Sequence, residues 1–353
     1  MSGSVVGAYL LGSNGLRYKY SDFLFPKNVW YEYAKPTSMK GDTLVPRAES
    51  VLMQFQKENE KKMIDVLVIV NSNLYTLQAV KNVAEMAKLY AHEVHVVSPS
   101  FARVMYSLKE SGAGLAVEGD RIVVVTVANE TDITFHVLQV EKNGLIRMIF
   151  YSDSKYPESL GELVSVNFEY GPSFLVFLAS NQNKIIRKAE EMRKFVQKGI
   201  ILTYDRWDHM LNEGGLFKAH ELIKLTTDRS CNLANFSDGI FVDFGKKSSQ
   251  MVLKPGQPLP LRGTVTKKLT SGITVNAFFY ADIVDVYKEI KLTSKNAMPQ
   301  MSGLSNSHFR IEISVDEFGI PTASSAILTE DDLRKEFLTQ RYIVVCSLFT
   351  GDV

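Results

Sequence analysis

Asp205, Asp208, His209 and Glu213 crowd one short stretch, and His209 and Glu213 share a face at i,i+4 if that stretch is a helix. Carboxylates around an imidazole are a donor set for a metal ion. No cysteine and no second histidine stands at ligand spacing, so the cluster reads as a solvated helical face. His92 and His95 flank a short apolar run and read as an edge and a core histidine. Lys184, Arg187, Lys188, Arg193 and Lys194 alternate with Glu190 and Glu191. That is a mixed-charge helix face and not a nucleic-acid patch. Neither Gly-x-x-x-x-Gly-Lys-Ser/Thr nor Gly-x-Ser-x-Gly occurs. Cys231 and Cys346 form no readable disulfide framework. Asn129-Glu130-Thr131 and Asn235-Phe236-Ser237 are glycosylation triplets, which favour a secreted route only slightly.

The elements that must hold these residues come from a chain of 353 residues, enough for about two domains. Hydrophobic content of 45% and charged content of 22% are those of an ordinary globular protein. A net charge of +1 argues against nucleic-acid binding, and no apolar run reaches membrane-spanning length. Met1 to Gly12 has no basic n-region, so the expectation is that it is not a signal peptide. No ER-retention tetrapeptide closes the chain.

Ile64 to Leu108 is the most legible stretch. Ile64 to Val70 reads as a strand buried on both faces, and Leu77, Val80, Val83, Ala84 and Ala87 recur at helical spacing. Val94 to Val97 is a second strand, and Pro99 opens another helix. Strand, helix, strand and helix predict an α/β unit with a right-handed crossover. Leu44 to Lys61 is a further helix, and residues 1–45 read as irregular with short strands. Arg121 to Val127, Thr134 to Val140 and Leu145 to Tyr151 form a meander, with an Asn143-Gly144 turn before the last strand. Phe174 to Ser180 is a strand, Lys184 to Lys198 and Trp207 to Leu225 are helices, and Asn167 to Pro172 is a short junction.

In their order these segments resemble the 70-kDa heat-shock chaperone family. The likeness runs through Asp65 to Val70, Gln78, Pro99 to Ala102, Tyr106 and Leu108, and covers about residues 44–330. It implies actin-like (ribonuclease H-like) α/β lobes around ATP or ADP with magnesium. Ser98 stands where the family has its catalytic glutamate, and Thr126 where it has a metal-linked aspartate. Ala128, Asn129 and Glu130 stand where its phosphate-loop glycines do; only Thr131 fits. The resemblance leaves Thr131, Ser180, Asn181 and Gly214 as cofactor-binding candidates, with no catalytic residue and no metal ligand. ATPase activity is expected of the family, yet its residues are lost here.

Beyond Asn235 the chain turns to strands: Gly239 to Phe244, Gly263 to Leu269, Ile273 to Ala281, Tyr287 to Leu292 and Phe309 to Val315. This small all-β sandwich resembles the family's substrate-binding domain, down to the hairpin signal Asp316-Glu317-Phe318-Gly319-Ile320. That hairpin leans toward the large hypoxia up-regulated branch of the ER lumen. Ile273, Val275, Phe278 and Phe279 are the substrate-binding candidates, with sandwich core as their alternative role. The expected division is an irregular segment at 1–45, a degenerate actin-like ATPase-type domain at 46–234, the β-sandwich at 235–330, and a helical start and tail at 331–353. The leading expectation is a divergent, shortened chaperone with impaired ATPase. Its partners would be unfolded polypeptides and another chaperone of the family, not nucleic acid or a membrane. The rivals are a working ATP-driven chaperone and a truncated product with no stable fold. The compartment is the ER lumen by resemblance, or the cytoplasm if the missing signal peptide is taken at face value.

Overall fold

The structure, a computed structural model, describes residues 3–23, 25–30, 43–71, 77–196, 198–223, 232–236, 239–243, 249–268, 276–279, 290–291, 308–328 and 331–334. The first lobe is built from β1 (Val5–Leu10), β2 (Gly15–Tyr20), β3 (Lys27–Trp30), α1 (Leu44–Glu58), β4 (Ile64–Val70), α2 (Leu77–Ala87), β5 (Ala91–Val97) and α3 (Pro99–Glu110). Its sheet runs β3-β2-β1-β4-β5, antiparallel among the first three strands and parallel from β1 to β4 to β5. The short strands expected in this segment are thus three strands of one regular sheet over residues 5–30, while residues 31–42 lie outside the described residues. All six residues of β1 are buried, and β1 is the sheet's middle strand. The glycines misled the reading: Gly7 lies inside β1, where a Cβ would come 3.3 Å from the Leu67 side chain.

The second lobe repeats that plan with β6 (Arg121–Val127), β7 (Asp132–Val140), β8 (Leu145–Lys155), α4 (Glu158–Tyr170), β9 (Phe174–Ser180), α5 (Asn183–Arg193), β10 (Gly199–Tyr204) and α6 (Trp207–Leu222). The strand order β8-β7-β6-β9-β10 is the first lobe's order over again. Two mixed α/β sheets of this order are the actin-like arrangement that the sequence reading expects. Helix α4 and strand β10 escaped that reading. The apolar residues of α4 form no single stripe: Leu163 and Val166 are buried, while Val164 and Phe168 face solvent.

Three apolar clusters hold the lobes. One covers the outer face of the first sheet under α1 and α2, and another the outer face of the second sheet with α4 and α5. The third joins the inner faces of both sheets through α3 and α6. Helix α6 belongs in sequence to the second lobe but packs on β1 and β4 of the first. Two glycines permit this. A Cβ at Gly214 would lie 1.9 Å from the Ala102 carbonyl oxygen of α3, and one at Gly215 would lie 2.8 Å from Val70.

After α6 the described elements are strands, apart from a single helical turn at 331–334: β11 (Asn232–Leu233), β12 (Ile240–Asp243), β13 (Ser249–Leu253), β14 (Leu261–Lys268), β15 (Asn276–Phe279), β16 (Ile290–Lys291), β17 (His308–Val315) and β18 (Pro321–Leu328). Strand β11 adds in parallel to one end of β8. The others form two small sheets, β13-β12-β15-β16 and β14-β17-β18. Ile240, Val242, Leu253, Val265, Ile311 and Ile313 give these sheets one shared core. The β17–β18 turn reaches back to the first lobe. Val96 N–H of β5 donates to the Phe318 carbonyl at 2.6 Å, and Ile320 enters the outer core of that lobe. Gly319, at φ 77°, leaves room for the Val96 carbonyl, which a Cβ would meet at 1.9 Å. Among the described residues no helix is long and apolar enough to cross a membrane.

Candidate functional site

In each lobe the turn between the first two strands lies at the end of the sheet where the parallel strands finish. The first turn, Leu11 to Asn14, lies beside the end of β4, and Leu11 N–H donates to the Val70 carbonyl at 2.9 Å. The second, Ala128 to Thr131, lies beside the end of β9, since Val127 is paired with Ala179. If the lobes hold a phosphate, these turns must present free backbone amides to it.

In the second turn the amides of Ala128 and Thr131 are bonded locally. Asn129 Oδ1 accepts from Thr131 N–H (2.8 Å), Thr131 Oγ1 (2.9 Å) and Asp132 N–H (2.8 Å). Its Nδ2 donates to Asp132 Oδ2 at 2.5 Å, and Ala128 N–H donates to the Asp132 carbonyl. This is an Asx-type turn, the local geometry asparagine favours. Glu130 projects from it and pairs with Lys184 of α5 at 3.2 Å, both side chains largely exposed. The first turn is closed differently. Gly12 takes φ 84°, and Ser13 N–H donates to the Leu10 carbonyl. The buried Arg47 of α1 then donates to the Gly12 carbonyl and to Asn14 Oδ1, each at 3.1 Å.

The candidates fall in several places. Thr131, Ser180 and Asn181 meet at one end of the second sheet. Asn181 N–H donates to the Tyr204 carbonyl, and its Nδ2 to Asp205 Oδ1 at 2.6 Å. Gly214 does not join them: it is buried at the α3–α6 crossing, against backbone. Phe278 and Phe279 lie in β15, opposite Phe241 and Ile240, while Ile273 and Val275 lie outside the described residues. Ser98, at the position of the family glutamate, caps α3 by accepting from Phe101 N–H at 3.1 Å. Thr126 is fully buried.

The acidic cluster on α6 resolves into ion pairs. Arg206 binds Asp208 with two hydrogen bonds. Burial would raise the Asp208 carboxyl, but that guanidinium outweighs it and holds the group below its ordinary value. Glu213 pairs with Arg17 of β2 and lies 3.6 Å from His209. No group of three or more metal-ligating side chains occurs among the described residues. Two residues of α6 were not singled out by the sequence reading. Buried Lys218 of α6 reaches both oxygens of Glu221 at 3.1 Å and the Leu233 carbonyl of β11 at 2.8 Å. His220, also on α6, is pushed down to about 4 by burial and by Lys19 and Lys109 of the first lobe.

No protein-family model matches the chain, and no curated protein matches it. Similar solved structures include YeaZ from Pseudomonas aeruginosa, at 12% identity and a TM-score of 0.33, covering 62% of this chain and 94% of that one. A non-polymerising MamK mutant bound to AMPPNP matches at 11% identity and a TM-score of 0.34, covering 62% of this chain and all of that one. These are likenesses of shape; the actin-like reading rests on the strand order described above. The heat-shock resemblance is corrected by these findings. No family model and no curated protein supports it, and the chaperone, stress-response and ER assignments fall with it. The resemblance misled because strand–helix–strand order is set by the fold, and unrelated sequences share it.

Proposed function

We propose that the chain is an actin-like protein whose nucleotide site is weak or lost. The observation that carries this is Asn129, whose side chain takes the amides of Thr131 and Asp132 that a phosphate would need. Glu130 adds a negative charge to the same turn. We keep a division near residue 234 as part of this reading. Titration calorimetry of the full chain with magnesium and ATP tests it. No saturable heat is expected, and a tight magnesium-dependent isotherm overturns it.

The second reading is retained nucleotide binding without tight phosphate contacts. Ser180 and Asn181 favour it, because they adjoin the turn that carries Thr131. In that case ATP and ADP would bind weakly and alike, and magnesium would change little.

A further inference from the structure

Helices α4 and α5 cover the outer face of the second sheet over one apolar core. They lead into β9 and β10, which are parallel, so the helices run in the same direction. Tyr156, just before α4, lies under the Lys188 ammonium of α5, 3.4 Å from its ring centroid, so the two helices are neighbours. Helix α4 buries Ser159, Leu163 and Val166. At 3.6 residues per turn this sends Gly161, Val164, Ser165 and Phe168 outward, and all four are exposed. Phe168 is 92% exposed, and a Cβ at Gly161 would meet nothing within 4 Å. Beside this stripe Glu158, Glu162 and Glu169 share one flank, and α4 carries no cation. None of the three forms an ion pair among the described residues. Helix α5 and the turn after it carry the opposite sign. Lys184 is paired with Glu130 and Lys188 with Glu191. Arg187, Arg193, Lys194 and Lys198 have no ion pair among the described residues, against one carboxylate, Glu190, in the same position. Phe195 stands 54% exposed at the C-terminal end of α5, as Phe168 does at the C-terminal end of α4. One exposed phenylalanine is ordinary; two on neighbouring elements, each beside unpaired charge of one sign, make a patch.

We propose that this face docks on the same face of a second copy of the chain, with α4 of each copy against α5 of the other. A two-fold axis running along the helices and between them makes that match, because it carries each α4 over the opposite α5. The acidic flank of one α4 then faces the unpaired cations of the other α5, and the contact occurs twice. Since the helices share one direction and the axis lies along them, Phe168 of one copy comes to the Phe195 end of the other. Charge argues for a copy over any other partner. The face carries both signs on separate neighbouring helices, so its complement is itself. A partner of one sign would match one helix and be repelled by the other. Helix α4, of 13 residues, is about 20 Å long. A face of that length and two helices wide falls below the roughly 800 Å² per partner of a standard interface, so the dimer is weak and reversible. Nothing in this contact depends on nucleotide.

Sedimentation velocity of the full chain without nucleotide, from micromolar to sub-millimolar concentration, tests it. A reversible dimer is expected that weakens as salt rises, because the facing charges are exposed. Phe168→Ser should weaken it by about tenfold or more. Two further variants reverse the charge of one helix at a time: Glu162→Lys with Glu169→Lys on α4, and Arg187→Glu with Lys194→Glu on α5. Each alone should lose the dimer, since both of its contacts then join like charges. Mixed in equal amounts the two should form a dimer again, because reversed α4 meets reversed α5 and the unaltered helices meet each other. Recovery on mixing also shows that both variants are folded. An unaltered chain that stays monomeric overturns the proposal, as does a dimer that survives either reversal. So does a mixture that stays monomeric while both variants keep a cooperative melt. Should a reversed variant fail to fold, a dimer indifferent to Phe168→Ser overturns the proposal instead.

Discussion

The two lobes share one connectivity and close their corresponding turns by opposite means. In the first, a buried arginine from α1 reaches across thirty-odd positions of sequence to hold Gly12 and Asn14. In the second, Asn129 closes the turn through neighbours no more than three residues away. In the first turn a distant arginine thus adds to the local bonds of Ser13, whereas in the second the closing side chain is the turn's own asparagine. Strand β5 of the first lobe is also met by the β17–β18 turn, and among the described residues β11 adds to β8 of the second over two residues.

Arg47→Met should break the comparison most severely. It leaves the Gly12 carbonyl and Asn14 Oδ1 without their donor in a buried place, which costs about 3 kcal/mol of global stability. Urea unfolding followed by tryptophan fluorescence measures it. A loss no larger than that of a second-turn variant would show that the first turn is held locally after all.

Acid should act next, through the contact between lobes. His220 titrates near 4 in the fold and near 6.5 in the unfolded chain. The unfolded state thus binds the extra proton between those values, so stability falls as pH drops from about 6.5 to about 4 and flattens below. The full shift is worth about 3 kcal/mol at most. His95, lowered by burial against the partial opposition of Glu93, adds in the same direction. His220→Gln should therefore flatten part of the acid limb in a series of urea midpoints. An unchanged limb would mean that His220 is solvated and titrates normally.

Asn129→Ala is expected to cost about 1 kcal/mol, since water replaces most of the lost bonds at a half-exposed turn. Hydrogen exchange should quicken at Thr131 and Asp132 and leave the first turn unaffected. Spread of the effect into the first lobe would contradict the local closure of this turn.

How far these features could be read beforehand follows from the same contrast. The β4–α2–β5–α3 crossover was legible because continuous apolar strands and a clean helical stripe state their burial directly. Strand β1 was obscured by Gly7 inside it, and α4 by an apolar pattern without one face. The absence of glycine from the second turn could be read from Ala128-Asn129-Glu130. That Asn129 would occupy the amides itself could also have been suspected, since Asn followed two residues later by Thr is an Asx-turn pattern. Arg47 could not: nothing local marks an arginine that serves a turn far away in sequence. Gly214 was taken for a cofactor residue because a glycine required by helix crossing and one required by a ligand look alike in sequence.

The smallest effect belongs to Glu130. Its pair with Lys184 is exposed on both sides, so Glu130→Gln should change stability by less than about 0.5 kcal/mol. The same variant separates two reasons for excluding phosphate from the second turn. If the carboxylate alone repels it, removing the charge should bring back a saturable, magnesium-dependent heat with ATP. If the amides are already taken by Asn129, removing the charge should change nothing, and that is the expected result. Adding Asn129→Gly to Glu130→Gln frees those amides, so any recovered binding should come with the double variant. Recovery with Glu130→Gln alone would shift the cause from turn geometry to charge, and the two turns would then differ in electrostatics more than in how they are closed.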